Sequence, residues 1–126
     1  SFSDLIYYNL KRNKKINLTD EILFSPLSIT SLSKIIKIIC KKKIVGTYNL
    51  GSHGGISKYK FGSIFAKKLN LKIDLIKKVS YKNINFFAKR NKDMRMIIKK
   101  FEKDIKINLP LLSSEIERAV NEYKKI

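Results

Sequence analysis

The sequence is poor in several residue types that mark particular protein classes. Its 126 residues include a single cysteine, a single histidine, two prolines and no tryptophan. One cysteine excludes a disulfide framework and any zinc site built on several thiolates, and such sparse use is typical of a reducing compartment. We therefore expect a cytoplasmic protein without disulfides and without a metal site.

Long hydrophobic runs are also missing. No stretch approaches the roughly 18 consecutive apolar residues of a transmembrane helix, and no signal-peptide pattern opens the chain. The first residue is Ser1 rather than methionine, which favours a processed product or part of a longer protein. The hydrophobic share of 44% and the aromatic share of 10% are enough for the core of one domain, so disorder is disfavoured.

Acidic residues are scarce, and this leaves two interpretations of the charge. Ten Asp and Glu face 28 Lys and Arg, which gives a net charge of +18. Such a charge favours a module that binds nucleic acid or an anionic surface. However, the cations are 24 Lys and only 4 Arg, whereas proteins that recognise phosphates and bases favour Arg. Twenty Ile against three Val and three Ala indicate AT-rich coding as another origin of the lysines.

Hydrophobic periodicity predicts alternating helices and strands, an α/β pattern with mixed helices and a few short strands. The predicted helices span 2–12, 28–40, 57–69 and 94–105, with a last helix after Pro110 that begins with a capping box of Ser114 and Glu117. The predicted strands span 16–19, 44–50 and 72–79, and residues 80–93 are expected to be largely irregular.

Few residues are candidates for chemistry. The glycine cluster 51–55 follows a predicted strand and precedes a helix, but it has neither dinucleotide-binding nor P-loop spacing, so an ordinary turn is favoured. His53 within it is interpreted as an exposed polar residue, and Cys40 as inert filling on the apolar face of its helix. Arg90 lies in a basic loop before a predicted helix, an arrangement suited to a diphosphate or simply a solvated loop.

Three separated blocks of sequence resemble the dTDP-4-dehydrorhamnose reductases, which are extended short-chain dehydrogenase/reductases. Residues 20–32, DEILFSPLSITSL, are similar to their D-x-x-x-G-S-P-T-Y-x-x-D-L stretch. Residues 46–51 and 55–61, GTYNLG and GISKYKF, are similar to G-x-Y-[HN]-x-x-G and G-x-S-x-Y-x-F. Residues 90–110 are similar to R-P-x-[ND]-x-x-L, K-[LF]-E and I-x-L-P in that order.

The resemblance implies the C-terminal part of an extended Rossmann-type nucleotide-sugar reductase, with residues 1–126 as one substrate-binding region. It implies that Phe24, Ser25 and Pro26 lie near the sugar, that Arg90 approaches the diphosphate of a dTDP-sugar, and that the parent enzyme uses NADPH. The G-x-x-G-x-x-G cofactor loop does not occur, and the only Y-x-x-x-K spacing, Tyr7 with Lys11, lacks matching context. We therefore expect the N-terminal dinucleotide-binding domain to be missing, no catalytic or cofactor-binding residue here, and a fragment that is inactive alone. If the chain is instead a scaffold piece that has lost its partner domain, we expect its exposed apolar faces to make it aggregate or form a homodimer.

Overall fold

The computed structural model describes residues 1–84 and 91–126 as a mixed arrangement of helices and short strands. This confirms the α/β fold class. Within those residues the elements are α1 (Phe2–Lys11), β1 (Ile16–Leu18), β2 (Leu23–Phe24), α2 (Ile29–Lys41), β3 (Ile56–Ser57), α3 (Lys58–Lys68), β4 (Ile76–Lys78), β5 (Asp93–Met94), α4 (Lys99–Ile105) and α5 (Leu112–Tyr123). Short 3₁₀ turns cover Ile73–Leu75 and Tyr81–Asn83.

Serine side chains fix the starts of two central helices. The Ser28 hydroxyl accepts a hydrogen bond from the Ser31 N–H at the start of α2, and the Ser57 hydroxyl accepts one from the Lys60 N–H at the start of α3. A serine in this position satisfies a backbone donor that has no partner within its own helix. The predicted helices at 28–40 and 57–69 therefore begin and end within one or two residues of the observed ones.

The strands form two small sheets. β1 pairs in parallel with β4, and Ile16 lies opposite Ile76. β2 is the middle strand of the second sheet, antiparallel to β3 and parallel to β5, so that Phe24 lies between Ile56 and Met94. The strand predicted at 16–19 is confirmed, whereas only residues 76–78 of the predicted strand 72–79 are extended.

Two groups of buried apolar residues hold these elements together. The larger group joins α1, α3, α5 and the β1–β4 sheet, with the fully buried Phe65 and Ile6 among its members. The smaller group joins α2 and α4 through Ile35, Phe101 and Ile105. Burial of these side chains supplies the main favourable free energy of folding, because it removes apolar surface from water.

The strand predicted for residues 44–50 is wrong. The segment has no strand partner within the described residues, and Gly46 adopts φ +125° in its middle. The side chain of Tyr48 instead packs edge-on against Phe101 with ring centroids 5.8 Å apart. Ile44, Tyr48 and Leu50 are partly buried against the smaller core, which requires no sheet, whereas Val45 is exposed.

Two helix starts also differ from prediction. α4 begins at Lys99 rather than at 94, because Met94 belongs to the sheet, where it lies opposite Phe24. α5 begins at Leu112, so the predicted capping box of Ser114 and Glu117 is wrong. The first N–H of α5, that of Leu112, donates instead to the carbonyl of His53 at 3.1 Å.

The prediction that Cys40 fills the core is wrong, since its side chain is exposed. The apolar face of α2 is only partly covered: Ile35 is 6% exposed, whereas Ile29 is 73% exposed and Ile36 48%. The periodicity correctly predicted the helix, but the described residues provide too little apolar surface to bury the full width of the stripe.

Candidate functional site

A concavity among the described residues lies where β2, the loop before β3 and the segment from β5 to α4 meet. It has a volume of about 750 Å³, within the range of small-molecule sites. Its lining comes from Ser25, Ser52, His53, Gly54, Gly55, Asp93, Arg95, Met96, Ile97, Ile98, Lys99 and Glu102. We call this concavity the main cavity. Its residues come from three separate parts of the sequence, which only the tertiary fold brings together.

Gly51 allows the loop before β3 to approach the ends of β2 and β5. A Cβ at this position would stand 2.9 Å from the Cβ of Ser25 and 3.0 Å from that of Met96. Both distances are shorter than ordinary carbon contacts, so any larger side chain would push the loop away. The Ser25 hydroxyl, which donates to the Gly54 carbonyl at 3.1 Å, then joins the two segments.

His53 is held at the cavity wall by its backbone and by its side chain. Its N–H donates to the Pro110 carbonyl at 2.8 Å, and its own carbonyl accepts from Leu112. Its Nε2 lies 2.6 Å from Oε1 of Glu102, which also accepts the Leu109 N–H at 2.7 Å. The side chain of His53 is 42% exposed and that of Glu102 17%. The predicted exposed polar residue is thus half-exposed and ordered.

Asp93 and Arg95, which also line the main cavity, form a two-pronged ion pair. Nε of Arg95 donates to Oδ1 of Asp93 at 2.8 Å, and Nη2 donates to Oδ2 at 2.6 Å. The side-chain and backbone hydrogen bonds from Arg95 lower the pKa of Asp93 to about 2, and the same partnership raises the pKa of Arg95. The aliphatic part of Arg95 lies over Gly55, where a Cβ would overlap with it.

The charges of the described lining are balanced. Arg95 and Lys99 are cationic, and Asp93 and Glu102 carry carboxylates. Ser25 and Ser52 add hydroxyl groups, while Met96 and Ile97 supply an apolar surface. Such a mixture suits a ligand with hydrogen-bonding groups and an uncharged, partly apolar body.

The structure separates the residues that the resemblance assigns to the substrate. Ser25 lines the main cavity. The ring of Phe24 packs in the larger core against Phe2 and Phe61, with centroids 5.7 and 5.6 Å away. Pro26 lines a second, smaller cavity of about 230 Å³ beside α5. Arg90 lies outside the described residues, and none of the four assignments to substrate is tested by these positions.

Other residues of the resembling blocks have clear structural roles. Ser57 caps α3 and its hydroxyl also donates to the Asp20 carboxylate. Glu102, from the K-F-E block, binds His53 and Leu109 as described above. Sequence reasoning did not select Glu102 or Ser52 as site residues. The K-F-E and glycine-rich blocks of the resemblance were the available signals, since both blocks contribute to the cavity.

The Tyr7–Lys11 pair, which has the spacing of the catalytic pair of short-chain reductases, is part of α1. Tyr7 is 8% exposed and its ring packs against Tyr123, while the Lys11 ammonium lies 5.6 Å from the ring centroid. These contacts are those of helix packing, and the pair does not line the main cavity.

Residues 1–84 and 91–126 form neither a candidate metal centre nor a membrane-spanning helix. No three His, Cys, Asp or Glu side chains there are grouped so as to hold a metal ion. None of the helices formed by these residues has the length and hydrophobicity needed to cross a membrane.

Solved structures share this fold. The dTDP-4-dehydrorhamnose reductase of Bacillus anthracis strain Ames, solved with NADP, matches 97% of this chain with a TM-score of 0.87 and 20% identity, over 43% of its own length. The Yersinia enterocolitica reductase matches 96% with a TM-score of 0.79 and 23% identity, over 42% of its length. A dTDP-glucose 4,6-dehydratase of Bacillus anthracis, solved with NAD, matches 99% with a TM-score of 0.76 and 16% identity, over 39% of its length.

The chain thus spans about two fifths of the length of these proteins. No curated protein matches it significantly. The model of one protein family, described as the RmlD substrate binding domain, matches residues 1–125. This chain therefore belongs to the RmlD substrate binding domain family.

Proposed function

We propose that this chain is the substrate-binding portion of a cytoplasmic nucleotide-sugar reductase of the dTDP-4-dehydrorhamnose reductase type, acting in dTDP-L-rhamnose and polysaccharide biosynthesis. Family membership over residues 1–125 supports the substrate-binding role. The observation that carries the proposal on the molecule itself is the main cavity, which three segments of the resembling blocks build around Ser25, His53 and Arg95. Its volume accommodates a sugar unit with its neighbouring groups.

In the proposed parent enzyme, NADPH supplies the hydride that reduces the C4 keto group of the sugar. The glycines at 51, 54 and 55 lack the spacing of a dinucleotide loop, so the residues of this chain do not fit that cofactor. We assign cofactor binding and proton donation to an N-terminal Rossmann domain. The contribution of this chain is to bind and orient the sugar nucleotide, and alone it is inactive.

Arg90 is the proposed contact for the diphosphate. Its neighbours in sequence, Asp93 and Arg95, line the main cavity, so the chain enters the cavity wall within three residues of Arg90. A guanidinium pairs with phosphate oxygens through two parallel hydrogen bonds, which lysine cannot do. Arg95 is already engaged with Asp93, so the proposal assigns the diphosphate contact to Arg90 rather than to Arg95.

Isothermal titration of the whole chain with dTDP and with NADPH tests the proposal. We expect weak binding of dTDP and none of NADPH. Arg90→Gln should weaken dTDP binding about tenfold or more, as expected for a lost charge-assisted pair. Arg12→Gln, which removes an exposed arginine at the end of α1, is the matched control and should leave the affinity unchanged. Tight NADPH binding would refute the fragment interpretation.

A basic nucleic-acid or anionic-surface binding module is the alternative from another functional class, and it depends on the net charge of +18 alone. The measurement that separates the two is the salt dependence of DNA and RNA binding, because true phosphate contacts give a steep dependence of affinity on salt. A steep slope with submicromolar affinity would favour this alternative.

The homodimer also stays a prediction, which sedimentation velocity tests.

A further inference from the structure

His53 retains an unused hydrogen-bonding nitrogen at the wall of the main cavity. It is the single histidine of the chain. Its Nε2 is engaged with Glu102 at 2.6 Å, and its backbone is tied to Pro110 and Leu112. Among residues 1–84 and 91–126, no hydrogen bond to its Nδ1 is present. The backbone of His53 is fixed by two hydrogen bonds and its ring by one, which lowers the entropic cost of using the side chain for recognition.

The contact with Glu102 determines which nitrogen carries the proton. A carboxylate oxygen only accepts hydrogen bonds, so Nε2 must donate. In the neutral ring the second nitrogen, Nδ1, is then an acceptor. Glu102 is itself fixed by the Leu109 N–H at 2.7 Å, so the carboxylate is positioned independently of the histidine. The free atom that His53 offers to a ligand is therefore an acceptor for a hydroxyl or N–H.

Ser52, the neighbouring residue, also has an unsatisfied polar group. It is 2% exposed, it lines the main cavity, and its Oγ has no hydrogen-bond partner within the described residues. A buried hydroxyl without a partner is costly, and native proteins rarely leave one unexplained. Two adjacent residues of one loop thus have unused capacity for polar contacts at the same cavity.

The charge balance of the described lining indicates which part of the ligand lies against it. A phosphate would need an excess of positive charge, whereas the cationic Arg95 and Lys99 are offset by Asp93 and Glu102. An uncharged group with several hydroxyls matches an acceptor nitrogen and a serine hydroxyl on a partly apolar wall.

We propose that His53, oriented by Glu102, is a specificity-determining residue that accepts a hydrogen bond from a sugar hydroxyl of the ligand in the main cavity. The inference rests on the proposed function, since it assigns a role at the same site. The hydroxyl belongs either to the hexose or to the deoxyribose of a dTDP-sugar. Glu102 is the positioning residue that holds the proton of the neutral ring on Nε2.

Two amide substitutions separate the two ring nitrogens. Gln at position 53 can place its amide N–H near the position of Nε2 and keep the contact with Glu102, but it loses the acceptor at Nδ1. Asn places its amide near Nδ1 and loses the Glu102 contact. We expect His53→Gln to bind dTDP-L-rhamnose about three- to tenfold more weakly in calorimetry, and His53→Asn to retain more of the affinity. Urea unfolding checks that each variant is folded.

The ligand series identifies the hydroxyl. If His53→Gln lowers the affinity for dTDP-L-rhamnose but not for dTDP, the contact is to the hexose. If it lowers the affinity for both ligands equally, the contact is to the deoxyribose. Unchanged affinity of folded His53→Gln for both ligands would overturn the inference while the proposed function stands. Absence of binding by the unsubstituted chain would instead overturn the proposed function together with the inference.

Ring nitrogen NMR of the unliganded chain provides a separate test, and the single histidine makes its assignment unambiguous. In the unsubstituted chain we expect the proton on Nε2. In Glu102→Gln we expect a mixture of the two tautomers, a result that a purely structural role of Glu102 would not require. A proton on Nδ1 in the unsubstituted chain would contradict the inference even if dTDP-sugars bind. Ser52→Ala should leave the urea midpoint nearly unchanged but lower the affinity for dTDP-L-rhamnose.

Discussion

Replacing the buried Glu115 by alanine is expected to destabilise the fold far more than loss of an exposed charge on the same helix. Glu115 lies in the first turn of α5, yet only 2% of the residue is exposed. Its Oε2 accepts the Ser28 N–H at 2.5 Å and its Oε1 accepts the Ser31 hydroxyl at 2.7 Å. It thus serves the start of a second helix, α2, where a negative charge is also favoured by the helix dipole.

The expected magnitude follows from the partners that would be left behind. Hydrogen bonds to a charged group contribute about 1.5–3 kcal/mol each, and an unsatisfied buried N–H costs about 1–3 kcal/mol. Ser28 and Ser31 are both buried, so water does not readily replace the carboxylate. Arg118, which donates to Oε1 at 3.2 Å, is half-exposed and can return to solvent. We expect Glu115→Ala to lower the free energy of unfolding by about 3–5 kcal/mol, a large share of the roughly 5–15 kcal/mol typical of a domain.

Urea unfolding followed by circular dichroism measures this loss. Glu115→Gln keeps one carbonyl acceptor and should cost less, about 1–2 kcal/mol. Glu117→Ala is the matched control on the same helix, because its ion pair with Lys68 is exposed and contributes only about 0–1 kcal/mol. Equal destabilisation by Glu115→Ala and Glu117→Ala would refute the argument that burial makes the difference.

Two further predictions concern acid stability and thiol reactivity. Hydrogen bonds from Lys92, the Tyr81 N–H and Ser80 lower the pKa of Glu21 from 4.5 to about 2. Between those values the unfolded chain binds more protons than the folded chain, so the contribution of Glu21 to stability should be lost as the pH falls through this window. The drop in urea midpoint between about pH 6 and pH 3 should therefore be smaller in Glu21→Gln, and an unchanged drop would contradict this. Because Cys40 is exposed, it should react with a thiol reagent without denaturant, whereas protection until unfolding would contradict the structure.

Local sequence patterns predicted most of the helices and the apolar stripe along each of them. The stripes of α2 and α3 have helical spacing, and serines that can cap a helix precede both, so these helices follow from short-range chemistry. Residues 44–50 have the composition of a strand, but strand formation needs a partner at the correct distance. Tyr48 packs on Phe101 instead. Because Phe101 is distant in sequence, the residues around Tyr48 do not show that this packing replaces strand pairing.

The candidate site was predicted only in outline. The resemblance directed attention to Ser25, which lines the main cavity, but also to Phe24, whose ring packs in the core. The partnership of His53 with Glu102 joins residues 49 positions apart, and it depends on α4 lying beside the loop before β3. An isolated histidine in a glycine-rich segment has no property in the sequence that distinguishes a solvated side chain from one held by a distant carboxylate.

By itself, the sequence determined the composition, the helices with strong periodicity and the ordered blocks that indicate a nucleotide-sugar reductase, because these depend on residues near one another in the chain. The tertiary structure decided which of those residues share a cavity, which carboxylate is buried at two helix starts and how little of the apolar face of α2 is covered. These properties depend on contacts between segments separated by tens of residues. Their free energies arise only when burial removes water from both partners at once.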